Sequence, residues 1–264
     1  MFKVGLIGCG NMGEAIVKGL VRSKTVKSTE IIVYDLNPER IKYMVEEYNV
    51  AGSSSNRRVV ENSEIIILAV KPKDLENAVA PIKQFFKGKI LISILAGTPI
   101  SKIKSLIEDV FVVRAMPNTP ALIGEGAIGI TLEKENGQIR EKVIKLLSPL
   151  GVIVEVDENL MDAVTGLSGS GPAYVFMFIE GLIQGGVKCG LNYNQAKELA
   201  VQTVLGAAKM LKETGEHPSI LRDKVSSPGG TTIYALHKLE EKGLKDAIIS
   251  AVEEATKRSR ELSK

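Results

Sequence analysis

Ser226-Ser227-Pro228-Gly229-Gly230-Thr231-Thr232 sets hydroxyls, a proline and two adjacent glycines directly before a helical pattern of Ile233, Leu236 and Leu239. Residues of these types build an anion pocket. Proline and glycine stop a preceding helix, glycine lets a ligand approach the backbone, and the new helix aims unpaired N–H groups and the positive end of its dipole outward. A carboxylate suits such a place, although a threonine-capped turn with no ligand has the same composition. The second constellation lies near the other end of the chain. Gly8-Cys9-Gly10-Asn11-Met12-Gly13 comes after an apolar run, Lys3–Ile7, and precedes Ala15, Ile16, Val17, Leu20 and Val21 at helical spacing. In a strand, turn and helix of this kind Gly8 permits the tight turn, Gly10 admits a pyrophosphate to the backbone, and Gly13 lets the helix pack close to the strand. A second apolar run, Ile31–Tyr34, ends at Asp35, about 20 residues on, where a carboxylate meets the ribose of a bound dinucleotide.

Asp35 also bears on which dinucleotide enters. Its carboxylate accepts from both ribose hydroxyls and repels a 2′-phosphate, which favours NADH. Asn37, Arg40, Arg57 and Arg58 lie on segments that reach the same corner, and an arginine there accommodates the phosphate of NADPH. Those side chains are equally at home on a solvated surface. The residues therefore leave NADPH or NADH open, with a lean to NADH.

Both constellations need elements to hold them. Glu64–Val70, Lys89–Leu95 and Val110–Arg114 are near-continuously apolar, the pattern of strands buried on both faces. Helical patterns lie between strands at Pro38–Tyr48, Leu75–Phe86 and Ile100–Ile107, and the alternation predicts a parallel sheet with crossover helices. Strands at Ala127–Leu132 and Val152–Val156, flanking a helix at Ile139–Leu147, extend it. From Asp157 on, strand patterns vanish and apolar residues recur at three and four. Helices are expected at Leu160–Leu167, Pro172–Val187, Asn194–Glu213, Ser219–Lys224, Thr232–Lys242 and Leu244–Leu262, divided by glycine and proline. The expected fold class is thus an α/β N-terminal Rossmann-type dinucleotide-binding domain, residues 1–156, with a second, all-α C-terminal domain, residues 157–264. Tyr174, Val175, Phe176, Met177, Phe178, Ile179, Leu182 and Ile183 leave one of its helices almost no polar face. A helix apolar all round is covered, either by its own neighbours or by a second subunit.

Composition narrows the partners. With 264 residues, 44% hydrophobic and 25% charged, the chain has the make-up of an ordinary globular protein that can bury one large core or two modest ones, and two domains are expected. Its net charge of +3 is spread along the chain without a basic block or interleaved aromatics, so nucleic acid is not an expected partner. Cys9 and Cys189 lie in unrelated contexts, which argues against a disulfide and for a reducing cytoplasm. His217 and His237 have no cysteine or acid at ligand spacing, so no metal is expected. The first strand begins at Lys3, leaving no room for a secretory leader, and the apolar run Ala173–Val187 is too short and glycine-rich for a confident membrane span.

Taken in order across the whole chain, Gly8–Ala15, Ala69-Val70-Lys71-Pro72, Met116-Pro117-Asn118-Thr119-Pro120, Asp162–Tyr174 and Val225–Leu236 resemble the motifs of pyrroline-5-carboxylate reductases. The last two are far more specific to that family than the glycine turn. The resemblance implies reduction of Δ1-pyrroline-5-carboxylate to L-proline by NADPH or NADH, the final step of proline biosynthesis. It also implies a helical domain that interlocks with a partner's in a homodimer, alone or within a larger ring such as a decamer. Carried across, it puts the dinucleotide on Gly8, Cys9, Gly10, Asn11, Met12, Asn56, Ala69, Val70, Lys71, Pro72, Ala96 and Gly97, with Asn118 near the nicotinamide. Lys71 begins a loop at a strand's carboxyl end, where its backbone counts for more than its ammonium; Asn118 has turn formation before Pro120 as a rival role.

For the substrate the resemblance implies Ser227, Gly229, Gly230, Thr231 and Thr232, with Glu158 near the ring nitrogen. Asp157 and Glu158 also open a helix, where acids meet the dipole favourably with or without substrate. Thr232 is the catalytic candidate, its hydroxyl supplying or orienting the proton at the ring nitrogen. Lys224 departs from an asparagine found in some relatives and either pairs with a cofactor phosphate or faces water. Alternatives are another NAD(P)-dependent imine or 3-hydroxyacid oxidoreductase, a deazaflavin-dependent reductase, and a non-catalytic dinucleotide-sensing protein. A hydroxyacid enzyme of related build would carry a catalytic lysine that Gly171–Phe176 lacks, a deazaflavin enzyme accounts for the N-terminal half only, and the intact Ser226–Thr232 loop argues against decay of the site.

Overall fold

A computed structural model describes residues 1–262, which group into two compact units. The first comprises Met1–Ser170 and the chain from Glu253 on; the second is Gly171–Val252. In the first, the chain runs β1 (Phe2–Ile7), α1 (Asn11–Arg22), β2 (Ile31–Tyr34), α2 (Pro38–Tyr48), β3 (Ala51–Gly52), α3 (Asn56–Glu61), β4 (Ser63–Leu68) and α4 (Leu75–Val79). It continues with β5 (Lys89–Ser93), α5 (Ile100–Leu106), β6 (Val110–Met116), β7 (Gly126–Leu132), α6 (Gly137–Leu147), β8 (Gly151–Glu155) and α7 (Met161–Val164). The eight strands form one sheet in the order β3-β2-β1-β4-β5-β6-β7-β8.

The apolar strands are buried on both faces. Leu6, Ile67 and Ile92 pack with Ile16 and Leu20 of α1 on one side; Ile7, Ile66 and Leu91 pack with Val60, Val79 and Phe86 on the other. One expectation of a wholly parallel sheet needs correction, because β7 pairs antiparallel with β6. A single 3-10 turn, Thr119–Ile123, joins the two strands, and a parallel return needs a crossover of a dozen or more residues. The helix expected over Leu75–Phe86 also stops as an α-helix at Val79, continuing as 3-10 turns, since Pro81 has no N–H to donate. The two-residue β3 is too short to leave a periodic signal.

Element type changes after β8, but the compact unit extends further, to Ser170. Val164 of α7 sits directly over Gly129 of β7, where no larger residue would fit, and Met161 is buried. The Ser259 hydroxyl donates to Asp162 (2.6 Å), bringing the end of the last helix into the same unit. The expected division at residues 156 and 157 is thus a change of secondary structure rather than of packing; its last two residues, 263 and 264, lie outside the described range.

The second unit holds α8 (Gly171–Lys188), α9 (Tyr193–Thr214), α10 (Pro218–Lys224), α11 (Thr231–Glu241) and the start of α12 (Leu244–Leu262). α9 begins with an Asn192 and Gln195 capping box and ends at Gly215 in the left-handed region, φ 64°. Gly186 lets α8 approach Ala196 of α9 closely. Within the single chain, Ala196 and Ala200 are the buried residues of this unit, whereas Val175, Phe176, Met177, Phe178 and Leu182 of α8 are exposed. Its own neighbours therefore do not cover α8, which leaves a second subunit as the cover.

Candidate functional site

β2, β1, β4, β5 and β6 are parallel and adjacent, so their carboxyl ends share one edge of the sheet. That edge carries Gly8, Cys9, Gly10, Asn11 and Met12 after β1, Asp35 after β2, Ala69, Val70, Lys71 and Pro72 after β4, Ala96 and Gly97 after β5, and Asn118 after β6. The chain reverses its progress across the sheet between β1 and β4, the crevice in which open sheets of this kind take ligands.

Each glycine of the turn has its own reason. Gly8 has φ 102° and its α-carbon faces the Ala69 carbonyl, so a side chain is excluded twice. A β-carbon on Gly13 would collide with the Gly8 carbonyl oxygen. Gly10 differs: it is exposed, and a β-carbon there meets no atom within 4 Å, so packing inside the chain does not require glycine. The open space lies at the start of α1, whose N-cap is Gly10 and whose first N–H groups have no side-chain cap. Asn56, at the start of α3, donates through Nδ2 to the Ala78 carbonyl (3.0 Å) while its buried Oδ1 has no partner among the described residues. A buried acceptor without a donor is costly unless a ligand supplies one. An open cradle, a helix N-terminus and an orphaned acceptor together fit a dinucleotide.

A hydrogen-bonded cluster closes the β2 corner. The Cys9 N–H donates to Asp35 Oδ2 (2.6 Å) and the Asn37 N–H to Asp35 Oδ1 (2.8 Å). Arg40 donates through Nε to the Cys9 carbonyl (2.7 Å) and through Nη2 to Glu14 Oε2 (2.7 Å). The Tyr43 and Tyr48 hydroxyls both donate to Glu14 Oε1 (2.9 Å each). Burial pushes the Glu14 carboxyl up, but hydrogen bonds from Arg40, Tyr48 and Tyr43 hold it below its ordinary value. Burial, then the charge of Asp35, raises the Cys9 thiol to about 12, so Cys9 serves through its backbone. Glu14, Tyr43 and Tyr48 escaped sequence reasoning because nothing in their spacing ties α1 to α2. Asn37, expected near the ribose, accepts from the Glu39 N–H (3.0 Å) as the N-cap of α2.

On β6, Arg114 is 6% exposed and its Nη1 donates to Glu158 Oε1 (3.1 Å), which also accepts from the Ile100 N–H (2.6 Å). Glu158 thereby caps α5, directly after the Ala96 and Gly97 segment, while its Oε2 takes no hydrogen bond among the described residues. A charged residue inside the apolar run Val110–Met116 was the available signal for this pair. Asn118 is buried with its amide engaged at both ends, Nδ2 to the Ser168 carbonyl (3.0 Å) and Oδ1 from the Ala127 N–H (2.9 Å).

The second unit brings Ser227, Gly229, Gly230, Thr231 and Thr232 into one turn. Gly229 has φ 70°, the Gly230 N–H donates to the Ser227 carbonyl (3.0 Å), and Gly230 is the N-cap of the 11-residue α11. No side chain caps that helix start, and neither the Ser227 nor the Thr232 hydroxyl has a hydrogen bond among the described residues. The reading as a threonine-capped turn is therefore not what forms. Ser226 instead donates to the Arg222 carbonyl (2.7 Å), and Lys224 pairs with both carboxylate oxygens of Glu216 (2.7 Å each). His217 caps α10 through Ser219, and no described cluster of His, Cys, Asp and Glu is placed to hold a metal. Among the described residues no helix is long and apolar enough to cross a membrane.

The chain is similar to known proteins over its whole length. Residues 158–262 match the family described as pyrroline-5-carboxylate reductase dimerisation, and residues 3–97 match that described as NADP oxidoreductase, coenzyme F420-dependent. The pyrroline-5-carboxylate reductase of Synechocystis sp. is 46% identical over 99% of this chain and 98% of its own length. That of Escherichia coli is 39% identical over 99% and 98%. The crystal structure of Plasmodium falciparum pyrroline carboxylate reductase with NADP bound matches with a TM-score of 0.91 at 33% identity, covering 100% of this chain and 98% of that one.

Proposed function

The chain belongs to the pyrroline-5-carboxylate reductase family, and from that premise we propose how its own residues divide the work. The reaction is the NAD(P)H-dependent reduction of Δ1-pyrroline-5-carboxylate to L-proline in proline biosynthesis. One hydride adds to the carbon of the C=N bond and one proton to its nitrogen. When bound, the dihydronicotinamide supplies the hydride. Residues 1–156 serve the nucleotide and the chain from 157 on serves substrate and self-association.

In this reading Gly10 and the start of α1 receive the pyrophosphate, Asp35 and Asn56 the adenosine end, and Cys9, Asn11 and Met12 line the turn. Ala69, Val70, Lys71, Pro72, Ala96 and Gly97 border the rest of the dinucleotide with backbone, and Asn118 shapes the end of β6 beside the nicotinamide. Ser227, Gly229, Gly230 and Thr231 hold the substrate carboxylate at the start of α11. Glu158, whose Oε2 takes no hydrogen bond among the described residues, is the carboxylate assigned to the ring nitrogen. Thr232 is the catalytic residue, its hydroxyl holding the proton at that nitrogen. A protonated cyclic imine is already electrophilic at the carbon that receives hydride, so positioning dominates and no histidine is needed.

The observation that carries this assignment is the turn itself: a left-handed Gly229, an uncapped helix start and two hydroxyls without partners among the described residues. The chain forms a homo-oligomer through its dimerisation domain. A larger ring such as a decamer and a cytoplasmic setting complete the proposal, the latter in keeping with two free cysteines. The test follows NADH and NADPH absorbance with pyrroline-5-carboxylate, using pyrroline-2-carboxylate as control. Oxidation with the first substrate is expected, and a folded sample that oxidises neither cofactor with it overturns the assignment.

A further inference from the structure

We propose that this chain selects NADH over NADPH, because the β2 corner sets two carboxylates, Asp35 and Glu14, against one guanidinium, Arg40, which Glu14 holds in place. The proposal rests on the reductase reading and deepens it. A ribose at this corner offers two hydroxyl donors, and the Asp35 oxygens each retain an acceptor site beyond their single bonds from the Cys9 and Asn37 N–H groups. A 2′-phosphate offers further acceptors and negative charge, so it needs a cation free to turn toward it.

Arg40 is the arginine of this corner, and its geometry is already committed. Nε donates to the Cys9 carbonyl and Nη2 to Glu14 Oε2, both at 2.7 Å, and the guanidinium lies 5.0 Å from the centre of the Tyr43 ring. Glu14 is fixed in turn by the Tyr43 and Tyr48 hydroxyls. To bind a phosphate, Arg40 would leave a carboxylate that the two tyrosines keep in place. The hydrogen bond to Glu14 also raises the guanidinium's affinity for its proton, so the pair persists as an ion pair. Of the other candidate arginines, Arg57 is paired with Glu61 (2.9 Å) and lies 4.4 Å from the centre of the Phe85 ring. Among the described residues the Arg58 guanidinium reaches only the Ser54 hydroxyl, at 3.4 Å, and it is the competitor a test must include.

Fluorescence titration of NADH and NADPH into the full chain without substrate measures the preference apart from activity. The unaltered chain is expected to bind NADH roughly tenfold or more tightly than NADPH. Asp35→Ser is expected to raise NADPH affinity about tenfold while weakening NADH only a few-fold, and adding Glu14→Gln, which releases Arg40, to raise NADPH affinity again. NADPH binding as tight as NADH in the unaltered chain overturns the proposal. So does a sharp loss of NADPH affinity in Arg58→Ala, which would make Arg58 the phosphate ligand. Binding of neither nucleotide overturns the reductase reading and the proposal together, an outcome distinct from NADPH winning.

Discussion

In the first unit Leu6, Ile31, Ile67 and Leu91 are fully buried, whereas in the second Phe176, Met177 and Tyr234 stand 64%, 76% and 72% exposed. Both units are rich in apolar residues; they differ in what covers them. A sheet layered between helices buries its strands with its own chain, so the nucleotide turn rests on a core that is complete in one copy. Five helices with two buried alanines have no such core, and their apolar face is finished by self-association. The difference teaches where each half of the proposed chemistry would draw its rigidity: the sheet edge from the single chain, the turn before α11 from self-association.

The strongest way to break that contrast is to charge the exposed face. Phe176→Glu removes a large apolar side chain twice from a two-fold interface. At about 2 kcal/mol per burial it is expected to weaken self-association by roughly 10³-fold, read by sedimentation, while the first unit stays folded. Unchanged association would remove α8 from the interface. A smaller effect separates the two glycines of the turn. Gly13→Ala forces a β-carbon into the Gly8 carbonyl and is expected to lower stability by about 1–3 kcal/mol. Gly10→Ala, with open space in front of it, is expected to leave the melting temperature unchanged and to weaken nucleotide binding alone. Equal effects of the two on melting would mean that the cradle at Gly10 is not ligand space. Smallest is Glu158→Gln, which keeps an acceptor for the Ile100 N–H but takes the charge from Arg114. A stability loss of about 1–2 kcal/mol is expected, with a raised substrate KM and unchanged nucleotide affinity. An unchanged KM would confine Glu158 to the scaffold.

Much of this was legible in the chain. The apolar runs announced β1, β2, β4, β5 and β6, because strands buried on both faces need no polar alternation, and the glycine turn announced the close passage from β1 into α1. The sense of β7 was not, since it depends on the length of one connection rather than on any strand's own pattern. The cluster at the β2 corner joins Glu14 on α1 to Arg40, Tyr43 and Tyr48 on α2, contacts that sequence spacing does not encode. The turn at Ser227–Thr232 was visible as a composition, but an uncapped helix start, with the Ser227 and Thr232 hydroxyls unbonded among the described residues, depends on how the turn folds and leaves no mark in composition.

The central claim is that the turn of the helical unit works on the substrate while the sheet edge works on the nucleotide. Thr232→Val tests it most directly, because it removes one hydroxyl that no described residue bonds and keeps the shape of the side chain. Steady-state kinetics with pyrroline-5-carboxylate, alongside nucleotide titration, should show kcat reduced by about 10²-fold with the nucleotide dissociation constant unchanged. Unchanged kcat and KM, or a loss confined to nucleotide binding, would contradict it.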